Sequence, residues 1–155
     1  MIPFNEIDPR RPGLLLVDAD PWLRQGLAAA MERLGWLVWT AADGATAIRL
    51  FKENPGRIDA AVVDLQLPGL QGRRVLAELG TVQPGLVLAA MSVNVHEYSV
   101  SAFRRLSATP LFLKPLSAEA LSSALQDILS GQLDHDEHWS ETEQETGIKK
   151  RNTVS

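Results

Sequence analysis

Four residues stand where they could do chemistry together: Asp18, Asp64, Ser92 and Lys114, each closing a short apolar run. Leu14-Leu15-Leu16-Val17 runs into Asp18, Ala60-Ala61-Val62-Val63 into Asp64, Leu86 to Met91 into Ser92, and Leu111-Phe112-Leu113 into Lys114-Pro115. Short apolar runs bounded by turn residues are the pattern of buried strands. Open parallel α/β sheets place their ligands outside the carboxyl ends of such strands. Two acids, a hydroxyl and an ammonium gathered there could hold a divalent cation and a phosphoryl group.

The elements that must position these groups alternate along the chain. Helix one is expected to start with Asp20 as N-cap and Pro21 at the first position, with Leu23, Leu27, Met31 and Leu34 on one face before Gly35. Trp36 to Trp39 reads as strand two, and Gly44 to Lys52 as helix two, with Ala47, Ile48 and Phe51 inward. Pro55-Gly56 turns into strand three. Helix three is expected over Arg73 to Leu79, followed by Pro84-Gly85 and strand four. Glu97 to Leu106 forms a weaker fourth helix, and helix five runs from Ser117 to a stop at Gly131 with Leu121, Leu125, Ile128 and Leu129 inward. Five strands and five helices in alternation predict an α/β fold with a doubly wound parallel sheet and helices on both faces. Trp22, Trp36 and Trp39 are read as packing residues.

The whole-chain numbers bound the function. A chain of 155 residues, 45% hydrophobic and 22% charged, is ordinary for one globular domain. The net charge of −4 and the lack of a Lys/Arg stripe argue against direct nucleic-acid binding. The absence of cysteine excludes disulfides and thiolate chemistry. Residues 1 to 12 read as an N-terminal extension without a signal-peptide core, and residues 132 to 155 as a polar, disordered tail. His135 and His138 in that tail are read as solvated rather than metal-binding. With no spanning apolar segment, a cytoplasmic protein without membrane contact is expected.

From Gly13 to Gly131 the four strand-end residues, in this order and spacing, resemble the phosphoacceptor site of response-regulator receiver domains. The resemblance implies a sheet order of 2-1-3-4-5 and a single-domain phosphoaspartate switch rather than an enzyme. Asp64 would accept a phosphoryl group from a histidine kinase or phosphotransfer protein. Asp18, Asp64 and the backbone carbonyl of Gln66 would hold Mg²⁺, with Asp20 a further candidate that is more simply a helix cap. Lys114 and Ser92 would follow the phosphoryl oxygens, and a cis Lys114-Pro115 bond would aim the lysine. Output would pass to a protein partner, with the chain a monomer or weak homodimer.

The match departs at three positions. Ala19 replaces the second of two adjacent acids, which weakens the expected Mg²⁺ site by one carboxylate. Val93 stands where a small residue is usual, and Leu111 takes the place of an aromatic switch residue, with Phe112 on the opposite face. Ala19 supports an alternative, a pseudo-receiver that binds partners without phosphorylation. A second alternative reads Asp18 and Asp20 as the D-x-D motif of haloacid-dehalogenase-type phosphatases, but it leaves Asp64 unexplained and lacks a later acidic metal motif.

Overall fold

The computed structural model of the chain describes residues 11–69, 71–93 and 110–131. Five strands appear: β1 (Gly13–Val17), β2 (Leu37–Ala41), β3 (Ala60–Asp64), β4 (Val87–Ser92) and β5 (Leu111–Leu113). All pair in parallel, in the order β2-β1-β3-β4-β5. Among the described residues there are four helices, α1 (Pro21–Arg33), α2 (Gly44–Glu53), α3 (Gly72–Val82) and α4 (Ala118–Leu129). The helix expected over Glu97 to Leu106 lies outside the described residues, so the expected five become four here. The tail from residue 132 and most of the N-terminal extension lie outside them too.

Period-2 alternation divides the core into two layers. Leu14, Leu16, Ala60, Val62, Met91 and Phe112 pack under α1 and α4. Leu15, Val17, Ala61, Val63, Ala90 and Leu111 pack under α2 and α3. Both faces being covered, β1 and β3 are buried along their whole length.

The expected boundaries shift for local reasons. Strand two begins at Leu37 rather than Trp36, because Trp36 belongs to the end of α1: its N–H bonds Met31 O at 3.1 Å while Gly35, at φ 100°, gives its N–H to Glu32 O at 3.0 Å. That is a Schellman closure, with Trp36 as its inward apolar residue. Helix α3 runs past Leu79 to Val82 and stops where Gln83, the residue before Pro84, turns extended (φ −133°, ψ 92°). Two tryptophans pack as expected, Trp36 fully buried and Trp39 beneath the Arg57 guanidinium. Trp22 does not: on the first turn of α1 it is 86% exposed. The apolar face of α1 begins at Leu27, one turn after Leu23, and Leu34 is likewise exposed.

Candidate functional site

Strand register brings the four residues to one edge. Val17 pairs with Val63, so Asp18 and Asp64 each lie one step past that pair on neighbouring strands. Asp64 pairs with Met91 and Ser92 with Leu113, which sets Ser92 and then Lys114 each one step further along. Alternation puts Asp18 on the same side as Leu16, Asp64 with Val62 and Lys114 with Phe112, the side covered by α1 and α4. The three charged side chains therefore converge.

Lys114 Nζ lies 2.6 Å from Asp18 Oδ2 and 2.6 Å from Asp64 Oδ2. All three side chains are buried, with exposures of 7%, 1% and 9%. The bond to Asp64 is a hydrogen bond, whereas Asp18 Oδ2 meets the ammonium without a well-aligned one. Two carboxylates thus share one cation, and the group carries a formal charge of −1. Burial pushes the Lys114 pKa down, but the contacts and charges of the two carboxylates, Asp18 and Asp64, outweigh it and hold it above the ordinary lysine value.

The remaining carboxylate oxygens are fixed by main-chain N–H groups. Asp18 Oδ1 accepts from Asp20 N at 2.9 Å, and Asp64 Oδ1 accepts from Gln66 N at 2.9 Å. Both are Asx turns, which let an acid at a strand end aim its second oxygen into the pocket. Asp18 is anchored further by its own N–H to Ala41 O at 3.0 Å. Its carbonyl accepts from Arg24 Nη1 at 2.7 Å.

The other expected site residues divide. Ser92 is buried at the end of β4, and its carbonyl accepts the Lys114 N–H at 2.9 Å. The Lys114–Pro115 peptide is cis. Leu111 is buried in the α2/α3 layer and Phe112 in the α1/α4 layer. Gln66 and Val93 are exposed at the mouth. Asp20, the further metal candidate, serves instead as the N-cap of α1: its Oδ1 accepts from Trp22 N at 3.0 Å and Leu23 N at 3.3 Å. Those two otherwise unpaired amides at a helix start hold the carboxylate there.

Two neighbours of the site went unnoticed in the sequence. Arg24 looks like any polar residue of an amphipathic helix, and nothing local signals that its head reaches the Asp18 carbonyl. Gly72 had a signal, a glycine opening a helix just after Pro68-Gly69. A Cβ there would lie 2.1 Å from the Asp64 carbonyl oxygen and 2.7 Å from Leu65 Cα, so only glycine lets α3 start against the strand that carries Asp64.

The donor set suits a hard cation. Mg²⁺ is commonly held by one or two carboxylates while keeping several waters, and Asp18 Oδ2, buried and without an aligned hydrogen bond, is an oxygen that such an ion would satisfy. Asp18 and Asp64 would hold it. Ala19 supplies no third carboxylate, and Asp20 is engaged elsewhere.

Comparison with known proteins identifies the family and the fold. The response regulator receiver domain family matches residues 14–126. The transcriptional regulatory protein GlrR of Escherichia coli is 30% identical over 129 residues, 83% of this chain and 29% of GlrR. The transcriptional activator protein PfeR of Pseudomonas aeruginosa is 32% identical over 120 residues, 76% of this chain and 38% of PfeR. The chain therefore spans well under half the length of these relatives. Among solved structures, a receiver domain from Clostridium thermocellum superposes with a TM-score of 0.69 at 23% identity, over 78% of this chain and 96% of that one. Chemotaxis protein CheY4 of Vibrio cholerae superposes at 0.67 with 22% identity, over 76% and 98%. These structures share the five-stranded parallel fold. With the family matched over most of its length and the fold shared with solved receiver domains, the chain belongs to the response-regulator receiver family of two-component systems.

Proposed function

We propose that this chain is a phosphoaspartate switch with Asp64 as the acceptor, fed by a histidine kinase or phosphotransfer protein. The observation that carries the reading is the buried pair of carboxylates sharing the Lys114 ammonium at 2.6 Å on each side. Receiver domains are signalling switches, not enzymes in the usual sense, and the chemistry asked of the site is one transfer. An Asp64 carboxylate oxygen attacks the donor's phosphorus, the new P–O bond forms as the bond to the donor breaks, and the donor leaves with that electron pair. Lys114 then turns from the carboxylate to a phosphoryl oxygen, and the Ser92 hydroxyl supplies a second donor. Receiver domains typically bind Mg²⁺ at this acidic pocket, where the ion neutralises the incoming phosphoryl oxygens. In this chain Asp18, Asp64 and the Gln66 carbonyl would hold it.

The phosphoryl group brings about −1.5 to −2 charges to a pocket already at −1, so Lys114 and Ser92 must re-pair. Leu111, an aliphatic residue in the layer under α2 and α3, leaves this repacking without an aromatic ring to swing, and the surface change is carried by the β4 and β5 ends. A donor protein meets an apolar approach: Trp22 stands exposed beside a groove of about 280 Å³ lined by Leu23, Leu27, Pro115 and Leu116. The downstream partner is read as a protein. No helix among the described residues is long and apolar enough to cross a membrane.

Intact mass after incubation with acetyl phosphate and Mg²⁺ tests the reading. Wild type gains one phosphoryl mass, and Asp64→Asn gains none. A second reading, a partner-binding pseudo-receiver, draws on Ala19 and on the capping role of Asp20, which leave the metal with two carboxylates. Wild type that stays unmodified with both acetyl phosphate and a cognate kinase would establish it instead.

A further inference from the structure

Arg24 straddles the turn that presents Asp18. Its main-chain N–H bonds Asp20 O at 2.9 Å as part of α1, while its guanidinium Nη1 reaches back to the Asp18 carbonyl at 2.7 Å. One residue therefore closes both ends of the Asp18–Asp20 turn. Inside that turn the only side chain between the acids is the methyl of Ala19, which bonds to nothing polar. The Asp18 carboxylate is aimed by Asp20 N at Oδ1, and that N–H is itself carried by the turn.

We propose that Arg24 is a positioning residue of the acceptor site, fixing the Asp18 turn so that Asp18 Oδ2 faces Lys114 and the pocket. This rests on the phosphoacceptor reading for its catalytic consequence. The geometry has a clear cause: a guanidinium is planar, always charged and able to donate in a fixed direction, and a half-buried carbonyl with a charged donor is held more tightly than one facing water. Without that donor the carbonyl loses this partner and the turn, still held by the Asp18 N–H to Ala41 O and by the Asp20 cap, is less restrained at the peptide that leads to the Asp20 N–H. Asp18 Oδ1 is then held less firmly, and Oδ2 is no longer fixed 2.6 Å from Lys114.

The test compares wild type, Arg24→Met and Arg24→Lys as full chains, below the melting temperature of all three. Amide exchange at Asp20 reads the turn, with Ala28 to Ala30 in the middle of α1 as control. Uptake of phosphoryl mass from acetyl phosphate with Mg²⁺ reads the site. Loss of a charged hydrogen bond predicts that Arg24→Met speeds Asp20 exchange about tenfold, leaves the control amides unchanged and slows phosphorylation by about the same factor, with Arg24→Lys in between. Unchanged Asp20 exchange overturns the proposal, as does equal acceleration of the control amides, which would mark Arg24 as a residue of helix stability alone. Altered Asp20 exchange with an unaltered phosphorylation rate also overturns it. If wild type takes up no phosphoryl group, the acceptor reading falls by itself, and the exchange contrast still decides whether Arg24 sets the turn. Should Arg24→Met fail to fold, Arg24→Lys alone gives the same contrast at smaller size.

Discussion

The two ends of the sheet handle buried polar groups in opposite ways. At the amino end the Trp36 indole N–H donates to Ser122 Oγ at 2.9 Å, and the Gln126 amide donates to the same oxygen at 3.3 Å. Gly13 N–H meets Asp59 Oδ2 at 2.7 Å, and Gly13 has no Cβ because one would lie 1.9 Å from the Arg57 carbonyl. Here neutral N–H groups meet a hydroxyl and a carboxylate, with no ammonium among these contacts. At the carboxyl end one ammonium serves two carboxylates, and Asp18 Oδ2 is buried without an aligned hydrogen bond. A buried charge that is incompletely paired costs stability, so the difference teaches where the fold tolerates such a cost: at the edge where a ligand can complete the set.

Removing the shared cation should break the comparison most sharply. Lys114→Met leaves two buried carboxylates facing each other, and loss of one member of a buried ion pair costs about 3–5 kcal/mol. Urea unfolding at pH 7 reads it, and adding Asp64→Asn should restore a large part of the loss by removing one of the stranded charges. Full additivity of the two substitutions would show that the ammonium does not couple to Asp64.

Gly72→Ala probes the same end through packing. The added methyl meets the Asp64 carbonyl, an overpacking expected to cost about 1–3 kcal/mol. On the proposed acceptor role, phosphorylation at Asp64 should slow with it, because α3 must back away from the strand that carries Asp64. Unchanged stability and rate would mean that the start of α3 yields freely.

At the amino end Trp36→Phe keeps most of the apolar volume and removes the indole donor. Ser122 retains Gln126, so the loss should be about 1 kcal/mol and independent of pH. A loss as large as that of Lys114→Met would erase the distinction between the ends.

Titration distinguishes two groups within the carboxyl end itself. Lys114 has its folded-state pKa raised, so its pairing contributes in full below the ordinary value of 10.5 and is lost as pH rises through the raised one. Wild type should therefore lose stability on that alkaline limb, and Lys114→Met should lack this component. Asp43, the N-cap of α2, supplies the smallest and opposite effect. Its pKa is lowered from 3.8, first by the Thr46 N–H, so its contribution is present above 3.8 and is lost as pH falls through the lowered value. Asp43→Ala should cost about 1 kcal/mol at pH 7, with a shallower acid limb.

Much of this architecture was legible in the residues because the signals were local. Apolar runs marked the five strands, Asp20-Pro21 and Ser117 marked the helix starts, and the strand-end positions of Asp18, Asp64, Ser92 and Lys114 followed from those runs. Trp22 was misread because helical periodicity assigns a face but does not say where that face runs out of partners. The start of β2 was misplaced because Trp36 answers to a helix closure several residues upstream.

By itself the sequence determined which groups are available and on which strand ends they stand, since strand pattern and caps depend on residues near in the chain. The tertiary structure alone decided that Lys114, 50 residues from Asp64, lies between two acids, that Asp20 faces its own helix rather than the pocket, and that Arg24 closes the Asp18 turn. The physical reason is reach. Capping and alternation act over a few residues, whereas the distance between two charges on different strands is set by parallel register and by the helices packed on each face, which no single segment encodes.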